Sequence, residues 1–360
     1  MRTNAASKAE PRPGRVLIVD DSAVARAVLA RVLAGSDRLE VAGSVPTAAA
    51  ALSFLAGASV DLVILDIQMP GVDGLTALPD LIAAGKGAKV LVVSSAAGEG
   101  AAATIQALAL GAADTLVKPL PGERAHRFEA GLIEKIERLL LPDAPVARAP
   151  VAVRPVPDAS VAPAVDDAFD IVAIGASTGG IHALSQLLRG LPPTFSVPIL
   201  VTQHLPASFM PYFAAQLAVL AGRPCEVATD RLRIRPGRLI VAPGDAHMRC
   251  VRLADGTAAV RLSTEPQASG CTPSVDPMFD SIAECFGARA LAVVLSGMGR
   301  DGTAGARRVA ATGGYVVVQD RASSAVWGMP GSVASAGLAA ATLDPQGIGR
   351  VIASRRRPQC

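Results

Sequence analysis

At 360 residues the chain is long enough for two domains of roughly 100–200 residues each. It is 51% hydrophobic but only 3% aromatic, so Ala, Val, Leu and Gly fill its interiors, a composition suited to parallel sheets packed against helices. A formal net charge of +3, with no dense basic block before Arg355–Arg357, argues against a nucleic-acid partner, and five scattered cysteines without a C-x-x-C pair argue against a disulfide framework or structural zinc.

In the first half, apolar runs of strand length occur at Val16–Val19, Leu62–Leu65, Val90–Val93 and, shorter, Leu116–Val117. Amphipathic stretches separate them, such as Val24, Val28, Leu29, Val32 and Leu33 at helical spacing. The alternation predicts βαβ units and a parallel sheet. Asp20 and Asp21 follow the first run, Asp66 the second, Ser94 the third and Lys118-Pro119 the fourth. Strand carboxyl ends of an open parallel sheet share one crevice, so these side chains are expected to meet. Any one of the acids alone would read as a turn or cap. Three together repel one another and suit a hard cation such as Mg²⁺. With that charge and Lys118 offsetting theirs, one carboxylate can attack a phosphoryl group.

Residues 141–168, LPDAPVARAPVAVRPVPDASVAPAVDDA, carry a proline every few positions. This forbids a helix interior, disfavours a central strand and predicts an extended spacer. Beyond it the alternation resumes, with runs at Ile171–Ile174, Ile199–Thr202, Leu239–Ala242, Leu291–Leu295 and Tyr315–Val318.

Directly after the first of these runs stands Gly175-Ala176-Ser177-Thr178-Gly179, a G-x-S-x-G sequence with Gly180 next. Such a strand–turn–helix exposes a serine at the sheet edge beside a helix N-terminus, where N–H groups can stabilise an oxyanion. Ser177 could instead cap the helix. A dinucleotide turn is disfavoured, because Ser177 occupies the middle glycine of G-x-G-x-x-G. A nucleophilic serine needs a base, and the chain has four histidines: His126, His182, His204 and His247. His204 ends a strand as Ser177 does and is preferred; His247, in the loop APGDAHM, is second. Asp301, in LSGMGRDG after the run Leu291–Leu295, is the candidate orienting carboxylate. The order Ser…His…Asp differs from the Ser…Asp…His of α/β-hydrolases.

Two resemblances follow. VLIVDDSAVARAVL, DLVILDIQMPGVDGL, VLVVSS and GAADTLVKP resemble a response-regulator receiver domain. The resemblance implies that Asp66 takes phosphate from a histidine kinase, that Asp20 and Asp21 hold Mg²⁺ with Asp66, and that Ser94 and Lys118 contact the phosphoryl group. Thr115 stands where the family usually has an aromatic switch residue. IGASTGG, TQHLPASF, RPGRLIVAPGDAHM, TPSVDPMFDS, LSGMGRDGTAG and VVQDRASSAVWGMP resemble the catalytic domain of the CheB methylesterases. That implies a Ser177–His204–Asp301 triad, an oxyanion role for the Met298 N–H, an oxyanion or substrate contact at Thr178 beside the nucleophile, and no cofactor at the hydrolase site. Cys271-Thr272 departs from the basic residue or histidine common before P-S-V-D.

The expected architecture is α/β, with two doubly wound parallel-sheet domains. They are a flavodoxin-like receiver at 14–140 and a Rossmann-like hydrolase at 169–350, joined by the Pro/Ala-rich linker 141–168. The expected activity is phosphorylation-controlled hydrolysis of glutamate γ-methyl esters on chemoreceptors, with deamidation of receptor glutamines. The partners are those receptors and a histidine kinase, not nucleic acid. The polar, Pro-containing start is no signal peptide and no apolar run reaches the ~18 residues of a bilayer span, so a cytoplasmic protein without membrane insertion is expected. Two other readings are a receiver-controlled serine hydrolase for another ester or amide, and a receiver joined to a non-catalytic binding module.

Overall fold

The computed structural model describes residues 12–94, 99–118, 125–140 and 168–354. The described residues divide into two compact units, those within Met1–Ser95 and Thr115–Leu141 and those within Ala96–Asp114 and Pro142–Cys360.

In chain order the first half holds β1 (Gly14–Val19), α1 (Ala23–Leu33), β2 (Leu39–Val45), α2 (Ala48–Gly57), β3 (Leu62–Asp66), α3 (Gly74–Ala84), β4 (Lys89–Ser94), α4 (Glu99–Leu110), β5 (Asp114–Val117) and α5 (Ala125–Leu140). Ser22, Thr47 and Asp73 each accept an N–H at the start of α1, α2 and α3, which satisfies donors the helices cannot use themselves. The five strands lie in the order β2-β1-β3-β4-β5, with β1 parallel to both β2 and β3 and β3 parallel to β4. This is a doubly wound sheet whose order reverses between β1 and β3, and that reversal opens a crevice at their carboxyl ends. β2 is a strand that the apolar runs do not reveal. It lies at the sheet edge, and Gly43 packs against the Phe54 ring, where a Cβ would sit 2.7 Å from the ring edge.

The second half holds β6 (Ile171–Ala176), α6 (Gly180–Arg189), β7 (Ile199–Gln203), α7 (Met210–Ala221), β8 (Cys225–Val227), β9 (Arg233–Ile234), β10 (Leu239–Val241), β11 (His247–Arg252), β12 (Ala258–Ser263), α8 (Asp276–Phe286), β13 (Ala290–Val294), α9 (Thr303–Ala311), β14 (Tyr315–Gln319), α10 (Gly328–Ser335), β15 (Ala341–Leu343) and α11 (Pro345–Ser354). Seven strands form a parallel sheet in the order β15-β14-β13-β6-β7-β10-β8. β6 lies centrally, flanked by β7 and β13, and the chain switches sides there. One face of the sheet offers alternate residues, Ile171 and Ala173, Ala292 and Val294, Val316 and Val318, to a core shared with Phe279 and Ile282 of α8.

A separate three-stranded sheet, β11-β12-β9, is antiparallel and adds Met248 and Val260 to that core. This corrects the expectation that His247 lies in a loop: it is the first residue of β11 and is buried. The interdomain spacer falls almost wholly outside the described residues. No helix among the described residues is long and apolar enough to cross a membrane.

Candidate active site

The hydrolase-type site is built at the reversal beside β6. Ala176 and Gln203 are paired as the last residues of β6 and β7, so Ser177 and His204 emerge side by side from adjacent strands. The His204 N–H donates to the Ala176 carbonyl at 3.1 Å and carries the ladder one residue further. On the other flank the Ser177 N–H donates to the Ser296 carbonyl at 3.0 Å, which ties the turn to the chain leaving β13. Two glycines make the turn feasible. Gly179 has φ +76°, and a Cβ there would stand 2.4 Å from that of Ala325. A Cβ on Gly297 would stand 2.9 Å from the Ser177 Cβ and 2.4 Å from the Met329 sulfur. Gly179 occupies the N-cap position of α6 without a side-chain capping bond, so Ser177 is not the helix cap. Among the described residues its hydroxyl makes no hydrogen bond, and the side chain is partly exposed.

His204 is oriented by Asp301. The imidazole Nε2 lies 2.8 Å from Asp301 Oδ2, and the side chains are 16% and 2% exposed. The ring therefore turns Nδ1 away from the carboxylate, opposite to the triad in which Nδ1 faces the acid. The carboxylate itself is fixed by a cage of donors. Ser274 Oγ donates to Oδ1 at 2.7 Å, as do the Gly302 N–H at 3.0 Å and the Asp276 N–H at 3.3 Å, while the Val275 N–H donates to Oδ2 at 2.8 Å. Burial pushes Asp301 up, but the hydrogen bonds from His204, Ser274 and Val275 outweigh it and hold the carboxyl below its ordinary value. Burial pulls His204 down. The bond to Asp301, with Cys271 beside the ring, outweighs that and raises the imidazole to about 9. A base works only when neutral. The expected result in chelator-treated buffer is therefore a kcat/KM that climbs about tenfold per pH unit below that value and levels off above it. A profile already flat at neutral pH would contradict this.

The other histidines do not enter the site. His247 Nδ1 accepts the Ser274 N–H at 2.9 Å and so braces the loop that holds Asp301, a supporting contact that removes it as the alternative base. His182 Nδ1 lies 3.0 Å from the Ala109 carbonyl and Nε2 2.7 Å from Gln186 Nε2. The His126 side chain lies outside the described ones. The Thr178 hydroxyl donates to Asp114 Oδ2 at 3.0 Å. The N–H groups of Thr178 and Met298 carry no hydrogen bond among the described residues.

Several contributors lie inside the resembling segments TQHLPASF, TPSVDPMFDS and LSGMGRDGTAG, where residue type and spacing alone reveal no role for them. Ser274, Val275 and Asp276 supply the donors to Asp301, and the Asp276 carboxylate, pushed up to about 6 by burial, accepts the Gly305 N–H at 2.7 Å. The Ser296 hydroxyl donates to the Thr178 carbonyl at 2.7 Å, and Gln203 Nε2 donates to the Ser177 carbonyl at 2.9 Å.

The acidic site of the first unit forms where β1 and β3 end. Asp20 and Asp66 are buried and Asp21 is exposed, and each offers a carboxylate oxygen within 4.8 Å of the others. Lys118 Nζ lies 2.7 Å from Asp66 Oδ2 and 3.2 Å from Asp20 Oδ2. Burial raises Asp66 above its ordinary value. Burial lowers Lys118, but the carboxylates of Asp66 and Asp20 outweigh it and raise the ammonium. Ser94 is buried at the end of β4, and its carbonyl accepts the Lys118 N–H at 2.9 Å. Thr115 is buried in β5.

Residues 172–352 match the family model described as CheB methylesterase, and residues 16–127 match that of the response regulator receiver domain. A protein-glutamate methylesterase/protein-glutamine glutaminase of Azospirillum brasilense is 39% identical over 94% of this chain and 92% of its own length. A second, from Caulobacter vibrioides, is 41% identical over 95% and 99%. The chain belongs to the CheB methylesterase family. The crystal structure of the catalytic domain of the Thermotoga maritima CheB methylesterase superposes with a TM-score of 0.50 at 34% identity, over 52% of this chain and 98% of that one. The CheB methylesterase match runs through the seven-stranded sheet, and the receiver match runs through the five-stranded one.

Proposed function

We propose that the chain is a phosphorylation-activated protein-glutamate methylesterase that also deamidates glutamines, acting in the cytoplasm on chemoreceptors. The receiver comprises 14–140, the hydrolase 169–350, and 141–168 links them. The reading is carried by one observation: His204 is held by Asp301 at 2.8 Å on the strand end next to that of Ser177.

In the proposed reaction the Ser177 hydroxyl attacks the ester carbonyl carbon while His204 Nδ1 takes its proton. The N–H groups of Met298 and Thr178 stabilise the oxyanion. The C–O bond to the methoxy group breaks, and His204 returns the proton to give methanol. Water, deprotonated by His204, then attacks the acyl carbon, the C–Oγ bond breaks with the proton passing from His204 to Ser177 Oγ, and the glutamate carboxylate is released. With a glutamine side chain the leaving group is ammonia. Asp301 keeps a proton on Nε2, so that Nδ1 presents its lone pair whenever a proton is to be taken.

Control comes from the acidic site. Its three carboxylates form an all-oxygen donor set that fits a hard divalent cation, with Asp20, Asp21 and Asp66 holding it. When bound, Mg²⁺ offsets the negative charge of an incoming phosphoryl group. Asp66 is the acceptor of phosphate from a histidine kinase, and Lys118 and Ser94 receive the phosphoryl oxygens. The acyl phosphate carries nearly −2 in place of the carboxylate's −1 and adds strong acceptor oxygens, which rearranges the residues around it. A fragment beginning at Asp167 is expected to turn over faster than the unphosphorylated full chain; a slower fragment would contradict inhibitory control. The substrate is tested by comparing methyl-esterified receptor with a nitrophenyl ester. Preference for the receptor supports this reading, and the reverse preference sinks it.

A further inference from the structure

The loop before α8 brings a thiol to the triad. Cys271 is half-buried, its N–H donates to Ser269 Oγ at 3.3 Å, and its Sγ lies 3.7 Å from the Ser269 carbonyl. Its thiol is near enough to act on the proton of His204. Cys271, His204 and Asp301 each offer one donor atom within 4.8 Å of the other two. The sequence conceals this set, because its members lie in three separate segments and follow no ligand spacing. We propose that these residues form an inhibitory site for a thiophilic divalent metal of the Zn²⁺ class.

The chemistry of the donors selects the metal. One sulfur, one imidazole nitrogen and one carboxylate oxygen suit Zn²⁺, which takes such sets in tetrahedral geometry with bonds of about 2.0–2.3 Å. Those bonds place ligand atoms about 3.3–3.6 Å apart, inside the observed envelope once the 2.8 Å His204–Asp301 pair opens slightly. The other cluster, Asp20, Asp21 and Asp66, has no nitrogen or sulfur and suits hard cations, so the two sites separate by metal type. The set supplies three protein ligands, and the partly exposed His204 edge leaves a fourth position for water. Binding releases the Cys271 thiol proton to the buffer. With imidazole and carboxylate both engaged, the Ser177 proton has no acceptor. Inhibition thus rests on the hydrolase reading above, whereas metal binding does not.

The test uses the full chain with Co²⁺ as a spectroscopic stand-in for Zn²⁺, and methanol release in Zn²⁺ buffers. A thiolate-to-cobalt charge-transfer band is expected in the wild type and in Cys285→Ser, and is expected to vanish in Cys271→Ser. Relative to its own zinc-free rate, Cys271→Ser should need at least about tenfold more free Zn²⁺ for half-inhibition, and a chelator should restore the wild type. No band in the wild type, or a band and zinc sensitivity unchanged in Cys271→Ser, overturns the site. A Cys271-dependent band with undiminished turnover overturns the inhibitory role. A chain with no esterase activity even without zinc would sink the hydrolase reading instead, while the spectrum still decides the site.

Discussion

Ser177→Ala is expected to lower methanol release by on the order of 10⁶-fold, leaving only the residual acceleration that binding and oxyanion contacts give. The reason is geometric. Ser177 emerges beside His204 from the paired strand ends, and its hydroxyl makes no hydrogen bond among the described residues. Removing it takes away the proposed nucleophile without breaking a structural bond, because the ties that hold the turn are made by the Ser177 backbone, from its N–H to Ser296 and to its carbonyl from Gln203 Nε2. The fold and thermal stability should therefore match the wild type. Rates are read from labelled methanol under saturating and limiting receptor. Loss confined to KM would show that Ser177 binds substrate and does not attack it.

Asp301→Asn is expected to cost about 10⁴-fold in kcat, as for a triad aspartate elsewhere. The orientation of His204 supplies the reason. Asp301 accepts from Nε2, which leaves Nδ1 as the ring nitrogen with a lone pair. An amide nitrogen in place of Oδ2 would donate to Nε2, drive the ring proton to Nδ1 and remove the base. The alternative amide orientation sets its NH₂ against the Ser274, Asp276 and Gly302 donors now satisfied by Oδ1. Loss of the carboxylate also removes a cause that raises His204, so any remaining activity should reach its plateau at lower pH than the wild type. Near-normal kcat in this variant, measured by the same methanol assay, would mean that Asp301 is only structural.

The sequence is most legible where strands are fully buried. β1, β3, β4, β6, β7, β13 and β14 are apolar runs, and the candidate site residues Asp20, Asp66, Ser177 and His204 stand at the carboxyl ends of such runs, where a parallel sheet gathers them. Asp301 is less direct, because six residues separate it from Val294 and its place depends on donors from the loop Ser274–Asp276. The antiparallel sheet is hidden for a plain reason. β11 and β12 mix Arg, Ser and His with apolar residues and bury one face, so neither forms a continuous apolar run. β2, β8 and β15 are likewise edge strands, with partly exposed and polar positions. The imidazole orientation and the approach of Cys271 are products of tertiary packing, which no local pattern encodes.

The most direct measurement is the release of labelled methanol from methyl-esterified chemoreceptor by the full chain, with and without a small-molecule phosphodonor and Mg²⁺. Turnover is expected to rise on phosphorylation, to keep its low unphosphorylated level in Asp66→Ala, and to disappear in Ser177→Ala. Release that persists undiminished when the residue-177 hydroxyl is gone would contradict this.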